Sequence, residues 1–163
     1  MKGFTLVELL VVIGIIVILM TAALVAINPF RQFAMANNAN RWSGVTTVMN
    51  AISQRMVDKK GRFSYDAPNA AVTDCPATGD DVPTTTATNM SSDSAGGDYD
   101  ICAALVTDDY VAAMPFDPQN GSYTSCGTYD TDYTIQCNAT SKRITVCAPD
   151  TQAPETTDIC ITR

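Results

Sequence analysis

Histidine is absent from all 163 residues, which removes the commonest general base, the serine-protease type of triad and the most frequent transition-metal ligand together. The six cysteines include no Cys-x-x-Cys pair, so they lack the spacing of a zinc site or a thiol-disulfide catalyst. No glycine-rich loop of the phosphate-cradling kind is present either. An enzyme is therefore the weakest class for this chain, and neither a cofactor nor a metal is expected.

Positive charge is also scarce, with 10 Lys and Arg against 17 Asp and Glu for a net charge of −7. The two signs are segregated. Residues 1–62 carry seven basic and two acidic side chains, net +5, while residues 63–163 carry three basic and fifteen acidic ones, net −12. Affinity for nucleic acid rests largely on Lys and Arg neutralising phosphates, so no direct nucleic-acid binding is expected of the acidic part. The basic residues Arg31, Arg41, Arg55, Lys59, Lys60 and Arg62 could instead face acidic regions of neighbouring copies, or simply keep the surface soluble.

What the chain does possess is one long apolar run. From Leu9 to Ile27 nineteen residues pass without a charge, and as a helix they extend roughly 28 Å, close to the ~30 Å hydrocarbon core of a bilayer. Glu8 stands just ahead of the run, although a carboxylate in a membrane helix costs about 2.5 to 3.5 kcal/mol at the centre and less near the interface. A secretory signal peptide needs fewer apolar residues and does not place a glutamate there. A plain membrane anchor explains the length but not the order of residues around Glu8. Lys2 lies on one side of the run and Arg31 and Arg41 on the other, so flanking charge gives no orientation. All six cysteines follow the run, and their even number places that part in an oxidising compartment.

The segment Gly3-Phe4-Thr5-Leu6-Val7-Glu8, preceded by Lys2 and followed by Leu9-Leu10, resembles the class III signal of type IV pilins and type II secretion pseudopilins. The resemblance implies that a prepilin peptidase cuts between Gly3 and Phe4 and methylates the new amine of Phe4. It also implies that Glu8 acts in assembly by meeting the N-terminal ammonium of a neighbouring subunit. The implied partners are copies of the chain in a helical filament, the inner membrane before assembly, the prepilin peptidase and the pilus assembly machinery. The implied location is the inner (cytoplasmic) membrane first and an extracellular pilus at the cell surface afterwards. The leader Met1-Lys2-Gly3 is short for that family, which leaves a start upstream of Met1 open.

The fold expected is α+β, with a long N-terminal helix, transmembrane and then amphipathic, packed on a small antiparallel sheet of three or four strands. Residues 1–3 would be leader, 4–27 the transmembrane and filament-core helix, 28–60 its amphipathic continuation, and 61–163 a disulfide-bonded head. Asn28-Pro29 predicts a kink. Trp42, Val45, Met49, Ile52 and Met56 follow spacings of three and four, which predicts one stripe against the head with Trp42 in its core. Lys59-Lys60-Gly61 supplies the cations and glycine of a helix end. Phe63 to Tyr65 reads as a short extended piece, and 66–100, rich in Ala, Thr, Ser, Asp, Gly and Pro, as an exposed loop.

Asn89, Asn120 and Asn138 begin Asn-x-Ser/Thr sequons, and Asp93, Asp98 and Asp100 form an acidic cluster. Short patterns of this kind arise by chance, and the acidic spacing does not fit an EF-hand loop, so unmodified asparagines and solvated charge are expected. Ile101 to Val106 reads as a helical turn or two. Tyr110, Pro115, Asp117 and Pro118 are similar to a pattern found before the sheet in many pilins and pseudopilins, and physically read as a rigid corner in which Asp117 caps its own backbone. Asn120-Gly121 signals a turn. Strands are expected at Ser122–Thr128, Tyr133–Cys137, Arg143–Cys147 and Ile159–Thr162, with Asp130 to Asp132 filling a gap.

Six cysteines allow fifteen pairings. Nearest-neighbour closure favours Cys75 with Cys102, Cys126 with Cys137, and Cys147 with Cys160. As to function, a structural subunit of a type IV pilus is favoured, serving attachment, motility or DNA uptake. The alternatives are a pseudopilin and, in another class, a membrane-anchored extracellular binding protein. Major pseudopilins bind calcium in C-terminal loops whose ligands find no residue-by-residue match here, and a Thr/Ser-rich loop with six cysteines looks more like a pilus surface.

Overall fold

A computed structural model of the chain describes residues 3–59, 82, 86–138, 140–141 and 143–163. Cys75, Gly61, the Phe63 to Tyr65 piece and most of the Thr/Ser-rich stretch lie outside the described residues. The architecture is α+β, a long helical N-terminal part whose second helix is set against an antiparallel sheet.

Two helices make up the first third of the chain. Helix α1 runs Leu6–Ile27 and helix α2 runs Pro29–Asp58. Between them Asn28 adopts a left-handed conformation (φ 47, ψ 78), ending α1, and its side-chain oxygen accepts from Arg31 N at 3.4 Å, starting α2. Asparagine tolerates that conformation, and Pro29 at the first helical position loses no hydrogen bond because that N–H would be unpaired anyway. The expected kink is thus a helix break with one residue serving both ends.

Helix α2 buries Val45, Val48, Met49, Ala51 and Ile52 against the sheet and an irregular helical turn, Ala103–Thr107. Trp42 corrects the sequence reading: it is 50% exposed rather than in the core. At its level the inward positions belong to Asn38, Arg41 and Val45, and Trp42 points about 100° round the helix from Arg41. Gly44 lets α2 approach the sheet closely, since a Cβ there would come 2.7 Å from the Tyr133 hydroxyl.

Five strands are described: β1 (Thr88–Ser91), β2 (Ser122–Ser125), β3 (Thr128–Cys137), β4 (Ile144–Ala148) and β5 (Ile159–Thr162). Their order is β1-β3-β4-β5, all antiparallel, with β2 paired to the start of β3. Asp130 faces Ser91 on one edge and Ser122 on the other, so β1 and β2 flank β3. Along β3 the inward positions are Tyr129, Thr131, Tyr133, Ile135 and Cys137, an unbroken period of two.

Two expectations change here. The stretch taken as exposed loop to residue 100 contributes β1, whose Met90 is fully buried, so the sheet has one strand more than the upper expectation. Asp130 to Asp132 is not a gap between strands. It is a bulge inside β3, with Asp132 at φ 55 and the β1 register shifting between Asn89 and Ser91.

The disulfides follow from this sheet. Cys147 and Cys160 face each other across β4 and β5 with Cα atoms 4.1 Å apart, as expected. Cys102, however, bonds Cys126 rather than Cys75. Cys137 is also disulfide-bonded, but a bond to Cys126 was never geometrically open. With Thr128 to Cys137 one continuous strand, Cys137 lies roughly 30 Å along β3 from the turn that holds Cys126.

Candidate functional site: the uncovered helix and its clasp to the head

Gly3 and Phe4 lie exposed ahead of α1. Thr5 caps the helix: its Oγ1 accepts from Glu8 N at 3.2 Å, while Glu8 Oε2 accepts from Thr5 N at 3.3 Å and from Thr5 Oγ1 at 3.1 Å. This reciprocal capping box satisfies helix-start donors and sets the carboxylate at the positive end of the helix dipole. The sequence signal, a threonine three residues before a glutamate and an apolar run, was available and was not read.

No residue of α1 is buried. Its apolar side chains, from Leu6 to Ile27, are all open, and its length and composition suffice to cross a membrane. The polar atom of Thr21 is satisfied within the helix, donating to Val17 O at 2.8 Å. Twenty-two residues of bare apolar helix cannot remain in water; they require lipid or other apolar helices as neighbours.

The helix meets the head through buried polar contacts that sequence reasoning missed. Arg41 and Asp117 are both fully buried, with Arg41 Nε 2.5 Å and Nη2 3.2 Å from the carboxylate. Arg41 also donates to Asn38 Oδ1 at 3.0 Å and to Gln119 Oε1 at 3.2 Å. Asp117 caps its own corner as expected, accepting from Gln119 N at 2.8 Å and Asn120 N at 3.2 Å. Burial disfavours its charge, but the Arg41 guanidinium and the two backbone donors outweigh that, and its pKa lies below the ordinary carboxylate value. Asn38 adds a backbone-like pair of hydrogen bonds to Gln152, donating to its carbonyl at 2.6 Å and accepting from its N–H at 3.0 Å.

At the other end of α2, Arg55 is buried and donates to Asp108 and to Ala104 O, with Tyr110 stacked 5.9 Å away. Lys59 stands 3.9 Å from the same Asp108. Arg41 and Arg55 therefore serve the chain's own head, which differs from both expectations for them, a facing neighbour or a solvated surface. They were unrecognisable as core because a basic residue is almost never fully buried unless paired, and its partner lay some fifty to eighty positions away.

A shallow cleft of about 590 Å³ lies beside that end, lined by Val57, Asp58, Asp108, Asp109 and Tyr110 among others. The acidic cluster is occupied internally. Asp98 accepts from Asn89 Nδ2 at 3.0 Å and Ser91 Oγ at 2.8 Å, Asp100 from the Tyr129 hydroxyl at 2.7 Å, and Asp93 from Gly96 N at 2.9 Å. Among the described residues no three His, Cys, Asp or Glu side chains come together as metal ligands.

An open apolar helix with a glutamate in its first turn, clasped to a disulfide-bonded head, is the arrangement on which the comparisons bear. No curated protein and no solved structure matches the chain. Residues 1–24 match the family model described as the prokaryotic N-terminal methylation motif, so the chain carries the class III signal of type IV pilin-like and pseudopilin proteins.

Proposed function

We propose that the chain is a structural subunit of a type IV pilus. After cleavage between Gly3 and Phe4 it waits in the inner membrane, then enters an extracellular filament built from copies of itself through α1. One observation carries the reading: α1 is uncovered along its whole length, while α2 from Asn38 onward buries one face against a disulfide-braced head. Such a chain is divided into a helix that must be covered by others and a helix that has its partners within the fold. Glu8 supports the same reading, because a carboxylate in the first turn of such a helix is one that a free Phe4 ammonium of an adjacent copy would offset in a low-dielectric bundle. Registry follows, since a subunit out of step leaves both charges unpaired.

The test is electron microscopy of sheared surface fibres with intact-mass analysis of their subunit. Long fibres whose subunit begins at a methylated Phe4 are expected. A mature chain beginning beyond Ala23 would mean a conventional signal peptide and end the filament reading.

A further inference from the structure

Among the described residues, three side chains just past the apolar helix have no partner. Phe30 is 84% and Phe33 69% exposed, and the guanidinium of Arg31, between them, forms no ion pair or hydrogen bond with another described residue. The other two described arginines of the helical part, Arg41 and Arg55, are consumed by Asp117 and Asp108. Arg31 is thus set apart by its environment as well as its position.

The height of these residues is bounded by helix geometry. Taking Ile27 as the end of the span, Phe30 and Phe33 follow three and six residues later, so at 1.5 Å per residue they rise about 4.5 Å and 9 Å where α2 continues the axis of α1, and less where α2 tilts away at the break at Asn28. The polar layer of a bilayer is about 5 to 8 Å deep on each side. Phenylalanine rings suit the boundary between acyl chains and headgroups, and arginine buries its stem there while its guanidinium reaches a phosphate. Trp42, by contrast, lies roughly 18 Å further along α2 than Phe30.

We infer that Phe30, Arg31 and Phe33 form an interfacial collar that binds phospholipid headgroups on the outer side of the inner membrane and sets the depth of the subunit before assembly. The inference rests on the reading of α1 as a membrane anchor. A second copy is a poorer occupant: side by side at equal height it brings a second Arg31 to the first, and lowered by a few turns it sets Arg31 against bare α1. The collar also accounts for a cation on the side of the span that the positive-inside tendency leaves without one.

The chain has a single tryptophan, which makes the depth measurable. In the full chain, Trp42→Phe is combined in turn with Phe30→Trp, Phe33→Trp and Val17→Trp. Each variant is reconstituted in phosphatidylethanolamine–phosphatidylglycerol vesicles carrying nitroxide quenchers at the headgroup or deep in the acyl chain. Tryptophan at 30 or 33 should be quenched severalfold more by the headgroup probe than native Trp42, with emission shifted to the blue. Adding Arg31→Glu should cut that quenching severalfold, and Arg31→Lys should restore most of it.

Quenching at 30 and 33 no stronger than at Trp42, or unaffected by Arg31→Glu, overturns the collar. Quenching that is lost when the protein is diluted below one chain per vesicle assigns the surface to a second copy and overturns it too. Val17→Trp separates the two levels: its failure to be quenched by the deep probe overturns the anchor reading itself, whereas deep quenching there with none at 30 and 33 overturns only the collar.

Discussion

Removing the Asp117 carboxylate is the sharpest perturbation this structure offers, because four hydrogen bonds converge on it at a fully buried position. Asp117→Ala leaves the Arg41 guanidinium buried with only the neutral Asn38 and Gln119 oxygens for company. Breaking a buried pair from one side costs about 3 to 5 kcal/mol, a large share of the roughly 5 to 15 kcal/mol that holds a domain folded. Arg41→Met should cost less, about 1 to 3 kcal/mol, since Asp117 keeps its two backbone donors and methionine refills most of the space. The double variant should cost less than the two singles added, by about 0.5 to 3 kcal/mol. Urea unfolding in detergent micelles measures all three, read by Trp42, which neighbours Arg41 and is half-exposed. The pH dependence has a definite sign. The Asp117 pKa is lower in the fold than in the unfolded chain, so its contribution is present above the unfolded value of about 3.9 and is lost as pH falls through the folded one. Asp117→Ala costing under about 1 kcal/mol, or less than Arg41→Met, would show that the clasp does not hold the head to the helix.

Three further outcomes are expected. Glu8→Gln should leave processed protein in the inner membrane with few or no surface fibres, counted by microscopy, and Thr5→Val, which removes the hydroxyl partner of the carboxylate, should reduce fibre number in the same direction. Gly44→Ala should destabilise by about 1 to 3 kcal/mol in the urea assay, because its Cβ would press on the Tyr133 ring, whose hydroxyl is held by Phe116 O. Tyr133 is pushed up to about 12 by burial and then by the Asp117 charge, and Tyr129 is raised further by burial and by Asp100. In an ultraviolet titration both should therefore ionise only as the fold gives way, their stabilisation being complete below about pH 10 and lost as pH rises toward 12.

The parts of the fold legible in the sequence were those with local periodicity. The apolar run gave α1, Val45, Met49 and Ile52 gave the inner face of α2, and Asn28-Pro29 marked the break. Strand β1 was hidden because Thr88 to Ser91 offers one apolar side chain, Met90, to the core and sits in a low-complexity stretch. Trp42 misled because a stripe of threes and fours has an edge, and the inward place at that level went to charged and amide side chains whose partners are remote in sequence. Cysteine pairing failed for the same reason: proximity along the chain says little once a ten-residue strand carries one cysteine away from the next. The N-terminal signal was the most legible, since a match over residues 1–24 rests on order along the chain rather than on tertiary contact.

Asn28 has a mechanical meaning. Because one left-handed residue closes α1 and opens α2, and Pro29 offers no N–H to bridge them, the hydrogen-bond ladder that would make a single rigid shaft is interrupted. A continuous helix resists torsion through that ladder, so a rotation imposed on its lower half would appear undiminished at its top. Here a twist of α1 about its own axis can be taken up by the backbone torsions of Asn28 before it reaches the clasp at Asn38, Arg41 and Asp117. Tensile load still passes through the covalent chain, while the head need not turn with α1.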